Sequence, residues 1–105
     1  MKYKTNKLKR LESKRTSVLT DDLDHCIVCK QHCDDINEIF LGRNRISSIK
    51  YGLCIPMCRK CHNRYHIDRQ IQLYWMNIGI KKFLEEHSIE EFRQNFYYVK
   101  GLEIY

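Results

Sequence analysis

Two identically spaced cysteine pairs, Cys26-x-x-Cys29 and Cys58-x-x-Cys61, constrain this chain more than any other feature. A CxxC turn presents two thiolates to one side, and two such turns complete the tetrahedron that Zn²⁺ prefers. Four thiolates leave no open coordination position, so the zinc site they build is structural and performs no chemistry. The chain needs that support: with 105 residues and 43% hydrophobic content it forms one small domain, whose single core stabilises it only modestly. Its first residues, Met1-Lys2-Tyr3-Lys4, are charged where a secretory signal is apolar, and no apolar run is long enough to span a membrane. The expected compartment is the reducing cytoplasm, where six cysteines point to metal rather than to disulfides. Cys33 and Cys54 are left over and are expected to pack, although Cys29-x3-Cys33 is an alternative clasp.

The formal charge of +6 is unevenly spread. Residues 1–20 carry Lys2, Lys4, Lys7, Lys9, Arg10, Lys14 and Arg15 against Glu12 alone, and read as a basic arm preceding a domain over 21–105. Within that domain, Ile39 to Ile67 contains Arg43, Arg45, Lys50, Arg59, Lys60 and Arg64 and no acid. Acids gather on either side, at Asp21 to Asp35 and at Glu85 to Glu91. A basic tail and a basic middle suit a polyanion such as DNA.

Cys26-Ile27-Val28-Cys29, Ile36 to Leu41 and Leu53 to Met57 read as short β-favouring pieces, with Gly42-Arg43-Asn44-Arg45 as a loop. Pro56 has no amide hydrogen, so its strand should lie at an edge or be ending there. From Arg59 the pattern turns helical, with Ile71, Tyr74, Trp75, Ile78, Phe83 and Leu84 as the expected apolar stripe and Gly79 a weak point inside it. Ser88-Ile89-Glu90-Glu91 is a capping box that starts another helix through Phe92 and Phe96. The tail tyrosines, Tyr97, Tyr98 and Tyr105, are expected to pack back on the core.

Directly after the second cysteine pair, His62 and His66 stand four apart, on one face of the expected helix. That spacing can grip one metal ion and leave positions open for water and a phosphate oxygen. His25, His32 and His87 lack a partner at such spacing and read as surface residues.

The first CxxC, the strand with Asn37-Glu38-Ile39-Phe40, the loop Gly42 to Arg45, Ser47-x2-Lys50-Tyr51-Gly52-Leu53 and Met57-Cys58-x-x-Cys61-His62-x3-His66 together resemble the HNH endonuclease family. Small members encoded by phages and prophages are the nearest in look. The resemblance covers Thr20 to Phe96 and implies an α+β, ββα-metal fold stapled by a four-cysteine zinc site, with C-terminal helices. It further implies hydrolysis of a DNA phosphodiester in the cytoplasm of a bacterial host, with one divalent ion (Mg²⁺, Mn²⁺ or Ni²⁺) at His62 and His66. By position, Asn37 stands where the family carries a first histidine, commonly a metal ligand, and Glu38 where it carries the general base or, in His-Glu members, an acid. Asparagine offers only a neutral carbonyl oxygen, so the affinity for Mn²⁺ or Ni²⁺ should fall. Asn44 belongs to the loop motif. Strand alternation sets Asp35 and Asn37 on one face and Glu38 on the other.

Two further readings compete with a metal-dependent endonuclease. One is a binding module without catalysis, holding DNA through Arg43, Arg45, Lys50, Arg64 and the arm, or holding a protein such as a host defence nuclease. The other is a zinc-stapled scaffold with no nucleic-acid role.

Overall fold

A computed structural model of the chain describes residues 15–102. The basic arm from Lys2 to Lys14, and Tyr105, lie outside the described residues. Strand β1 (Asp35–Glu38) is followed by a 3-10 turn (Gly42–Asn44) that runs straight into helix α1 (Arg45–Lys50), then by β2 (Cys54–Met57), α2 (Arg59–Ile67), α3 (Arg69–Leu84) and α4 (Ile89–Asn95). The fold is α+β, with one two-stranded antiparallel sheet and four helices among the described residues. Its register pairs Asp35 with Met57, Asn37 with Ile55 and Glu38 with Cys54. Pro56 is tolerated because each strand of a two-stranded sheet has an unpaired side, and its carbonyl accepts from the Ile27 amide at 2.9 Å.

Several elements differ from the sequence expectation, each for a local reason. The first strand ends at Glu38 rather than Leu41, because the Ser48 hydroxyl replaces a strand partner for Phe40. That hydroxyl accepts from the Phe40 amide at 3.1 Å and donates to the Phe40 carbonyl at 3.0 Å. The segment expected as a loop is the 3-10 turn and the start of α1, a helix too short to show a periodic pattern. Cys26 to Cys29 form a turn rather than a strand: the Lys30 amide donates to the Cys26 carbonyl at 2.9 Å, and Lys30 itself stands at φ +68°.

Asp68 divides the helical stretch into α2 and α3. Its amide donates to the Arg64 carbonyl at 3.0 Å, closing α2, while its carboxylate accepts from the amides of Gln70 and Ile71 and caps α3. Helix α3 buries Gln72, Met76, Gly79, Ile80 and Phe83. The expected stripe is rotated: Tyr74 is 61% and Leu84 39% exposed. The buried face instead includes Gln72 and Gly79, which hydropathy counts against burial. The Gln72 amide donates to the buried Tyr65 carbonyl at 2.7 Å, and Gly79 faces Ile39 and Phe40.

Ser88 caps α4 as the capping box requires, accepting from the Glu91 amide at 3.1 Å. Phe92 and Phe96 stack at 4.4 Å with Phe40 against them. From the tail it is Phe96 and Leu102 that close the core, while Tyr97 and Tyr98 face outward at 55% and 68% exposure, contrary to expectation. The described part of the arm lies against the domain, with Ser17 bridging Leu53 and the Val18 amide donating to the Gly52 carbonyl at 2.9 Å. No helix among the described residues is long and apolar enough to cross a membrane.

Candidate functional site

The two CxxC turns meet. The Sγ atoms of Cys26, Cys29, Cys58 and Cys61 all lie within 4.8 Å of one another, and the Cys29 and Cys58 sulfurs are 3.6 Å apart. A zinc–sulfur distance of about 2.3 Å gives a tetrahedral edge of about 3.8 Å, so the set fits a structural ion such as zinc. Its electrostatics also call for a cation. Burial opposes ionisation of Cys26, but the amides of Cys29, Cys58 and Val28 outweigh it and bring that thiol down to about 6. Burial and then the adjoining Cys58 and Cys26 push Cys61 up to about 12. One thiolate is therefore favoured and others resisted, until a divalent charge lets all four ionise. Cys33 and Cys54 stand apart from the cluster. Cys33 donates to the Asp35 carbonyl at 3.2 Å, and Cys54 is wholly buried with its thiol pushed up to about 12, chiefly by that burial.

Helix α2 begins inside this cluster. The Cys58 sulfur accepts from the Cys61 amide, and the Asp34 carboxylate accepts from the Arg59 amide at 2.7 Å, so two side chains cap its first turn. One turn on, His62 and His66 point the same way, with their Nε2 atoms 2.8 Å apart. His62 Nδ1 lies 2.9 Å from Asp35 Oδ2. A carboxylate can only accept, so Nδ1 carries the hydrogen and Nε2 keeps its lone pair. The 2.8 Å contact then makes His66 Nε2 the donor to His62 Nε2, while burial, and then the adjacent His62, hold His66 below the ordinary imidazole range, in its neutral form. The two Nε2 atoms face one point, which a cation could take once His66 carries its hydrogen on Nδ1, and Asp35 orients His62, as carboxylates behind metal-bound histidines do.

Before these histidines lies a cleft of about 420 Å³, lined by Arg15, Asp35, Asn37, Glu38, Arg45, His62 and His66 among others. Glu38 is 5% exposed, and its Oε1 accepts from Arg45 Nε at 2.7 Å and from Arg15 Nη2 at 3.2 Å. Burial alone would raise this carboxyl, but the Arg45 hydrogen bond, its own backbone amide and the Arg15 charge prevail and lower it. Glu38 is ionised at neutral pH and a weak proton acceptor. Asn37, 2% exposed, directs its amide nitrogen to Met57 Sδ at 3.7 Å.

Of the residues singled out from the sequence, Asn37, Glu38, Arg45, His62 and His66 come together in this cleft. Asp35, Asn37 and Glu38 line it jointly despite strand alternation, because Glu38 ends β1 and the two arginines draw its carboxylate in. Arg43 instead lies over the Tyr97 ring at 3.8 Å, Lys50 over the Tyr51 ring at 5.2 Å, and Arg64 is exposed on α2 outside the cleft. Asn44 is buried and structural, its side chain accepting from the Tyr97 amide at 2.7 Å and donating to the Tyr97 carbonyl at 3.2 Å. His87 is not a plain surface residue, since it stacks on Phe83 at 4.4 Å and bonds Glu91 at 3.0 Å.

Sequence reasoning missed Asp35 and Arg15 as members of the site. Asp35 sits in an acidic cluster that reads as solvated surface, and only the pairing of Asp35 with Met57, next to the start of α2, brings it behind His62. Arg15 reads as part of a tail. The chain matches no protein-family model, no curated protein and no solved structure.

Proposed function

We propose that the protein is a metal-dependent, HNH-type DNA endonuclease that hydrolyses phosphodiester bonds, with β1, β2 and α2 forming a ββα-metal site. The observation that carries the reading is the convergence of His62 and His66 Nε2, 2.8 Å apart, in a cleft whose walls bear Arg15 and Arg45. His62 and His66 would hold a divalent ion, and two imidazoles favour Mn²⁺ or Ni²⁺ over Mg²⁺. Such an ion supplies Lewis-acid activation of the phosphate and of a water molecule. Asp35 keeps His62 in the tautomer that ligates. Glu38 holds the Arg15 and Arg45 guanidiniums at the cleft, where they can meet the non-bridging phosphate oxygens. With Glu38 so weak a base, an ion held by His62 and His66 would supply most of the activation of the water.

The same clamp favours a second reading. A carboxylate fixed between two arginines is a poor catalyst but a good organiser of positive charge, as a DNA- or protein-binding module without hydrolysis would need. Plasmid relaxation by zinc-loaded protein with Mg²⁺, Mn²⁺ or Ni²⁺, beside a His62→Ala control, separates the two. Cleavage abolished by His62→Ala is the expected result. A folded protein that cuts with none of these ions, yet binds DNA with an affinity falling steeply with salt, would establish the binding module instead.

A further inference from the structure

A second cleft lies on the other side of the Gly42–Ser47 segment. Gly42 and Arg45 line the histidine cleft, whereas Arg43, Ile46 and Ser47 line this one. Opposite them stand Arg93 from α4 and the outward-facing Tyr97 and Tyr98, enclosing about 750 Å³ with no acidic residue on the walls among the described residues.

The walls are cross-bolted. Asn44 makes two hydrogen bonds to the Tyr97 backbone, at 2.7 and 3.2 Å, and the Ser47 hydroxyl donates to the Asn95 carbonyl at 2.6 Å. The Tyr97–Tyr98 platform is therefore held at a fixed distance from the basic segment, although more than fifty residues of chain separate them. Arg43 lies with its guanidinium carbon 3.8 Å from the centre of the Tyr97 ring. A guanidinium stacked on an aromatic face still presents its N–H fork sideways, in the geometry that grips a phosphate.

Exposed tyrosine rings beside arginines are complementary to a nucleotide whose base is not already stacked. A duplex offers phosphates here but no base faces, because its bases are covered by their neighbours. We propose that this cleft is a subsite for single-stranded DNA, in which an unpaired base stacks on Tyr98 and the flanking phosphates engage Arg43 and Arg93. The inference deepens the nucleic-acid reading above and rests on it. A strand seated here continues across Gly42–Ser47 towards His62 and His66, so the site would act on DNA at an unpaired or frayed position.

Fluorescence anisotropy tests it, using zinc-loaded full-length chain without added divalent ion and a labelled oligothymidine against a duplex of equal length. The expected result is tighter binding of the single strand, weakened roughly tenfold by Tyr98→Ala and restored by Tyr98→Phe, with duplex binding unchanged. Arg43→Ala should lower the slope of log affinity against log salt for the single strand by about 0.7. Tyr74→Ala is the control, because Tyr74 is similarly exposed on α3 but outside the cleft. Equal affinity for both forms, or a Tyr98→Ala effect no larger than that of Tyr74→Ala, would overturn the subsite. Plasmid cleavage is read separately: cutting without single-strand preference removes the subsite alone, and single-strand preference without cutting removes hydrolysis alone.

Discussion

The cysteine cluster and the histidine cleft share one helix, α2, and differ in how they are held. The cluster is made of four like groups that resist ionising together, so four thiolates there would need a cation to neutralise them. The cleft is made of complementary groups, His62 on Asp35 and Glu38 between Arg15 and Arg45, which order one another without any ion. Cys61 and His62 are neighbours in sequence, yet one faces a closed structural centre and the other an open cleft. A single helix can thus serve both, because successive residues of a helix point about 100° apart and so onto different faces.

The largest effect that tests this contrast is loss of the cluster. Cys58→Ser, or removal of zinc with a strong chelator, should abolish the cooperative thermal transition in circular dichroism, since structural zinc contributes on the order of 10 kcal/mol in small domains. His66→Ala should leave that transition nearly unchanged while removing plasmid cleavage. If the two variants melt alike, the cluster and the cleft are not the separate units described.

Asp35→Asn comes next. Its amide still fits the space but no longer fixes the His62 tautomer as a charge does, and affinity for Mn²⁺ or Ni²⁺ measured by calorimetry should fall about 10- to 100-fold. Thermal stability should hardly move.

Glu38→Gln leaves two guanidiniums beside a neutral amide. At pH 7 urea denaturation should show a loss of about 1–3 kcal/mol, reduced from the value for a fully buried pair because Arg45 is partly in solvent. The sign with pH follows from a carboxyl whose folded-state value lies below its ordinary one. The contribution is complete above the ordinary glutamate range and is lost as pH falls through the lowered value, so parent and variant should converge in acid. A gap that persists unchanged at low pH would show that the ion pairs are not its source.

The smallest effect concerns the knuckle turn. Lys30 adopts φ +68°, which costs a side chain about 1–2 kcal/mol, against a cost of about 0.5–1 kcal/mol for the flexibility of glycine. Lys30→Gly should raise stability by roughly 0.5–1 kcal/mol in the zinc-loaded form. Any loss on this change would mean that Lys30 Nζ, which donates to the Ile27 carbonyl at 3.3 Å, matters more than the backbone.

What the sequence by itself determined is what lies within a turn or two of backbone. The paired cysteines, the His62–His66 spacing and the Ser88 cap all follow from ligand type and short separation, because a turn or a helix imposes those distances wherever it occurs. The helix α1, the true buried face of α3 and the outward turn of Tyr97 and Tyr98 were not legible there. Each depends on a distant polar anchor: Ser48 on Phe40, Gln72 on Tyr65, Asn44 on Tyr97. Only the tertiary structure set Asp35 behind His62 and brought Arg15 to Glu38, since strand register and the packing of a tail decide which remote groups meet. Hydrophobic pattern can say which face turns inward, but a polar side chain finds its partner only after the backbone around both has been placed.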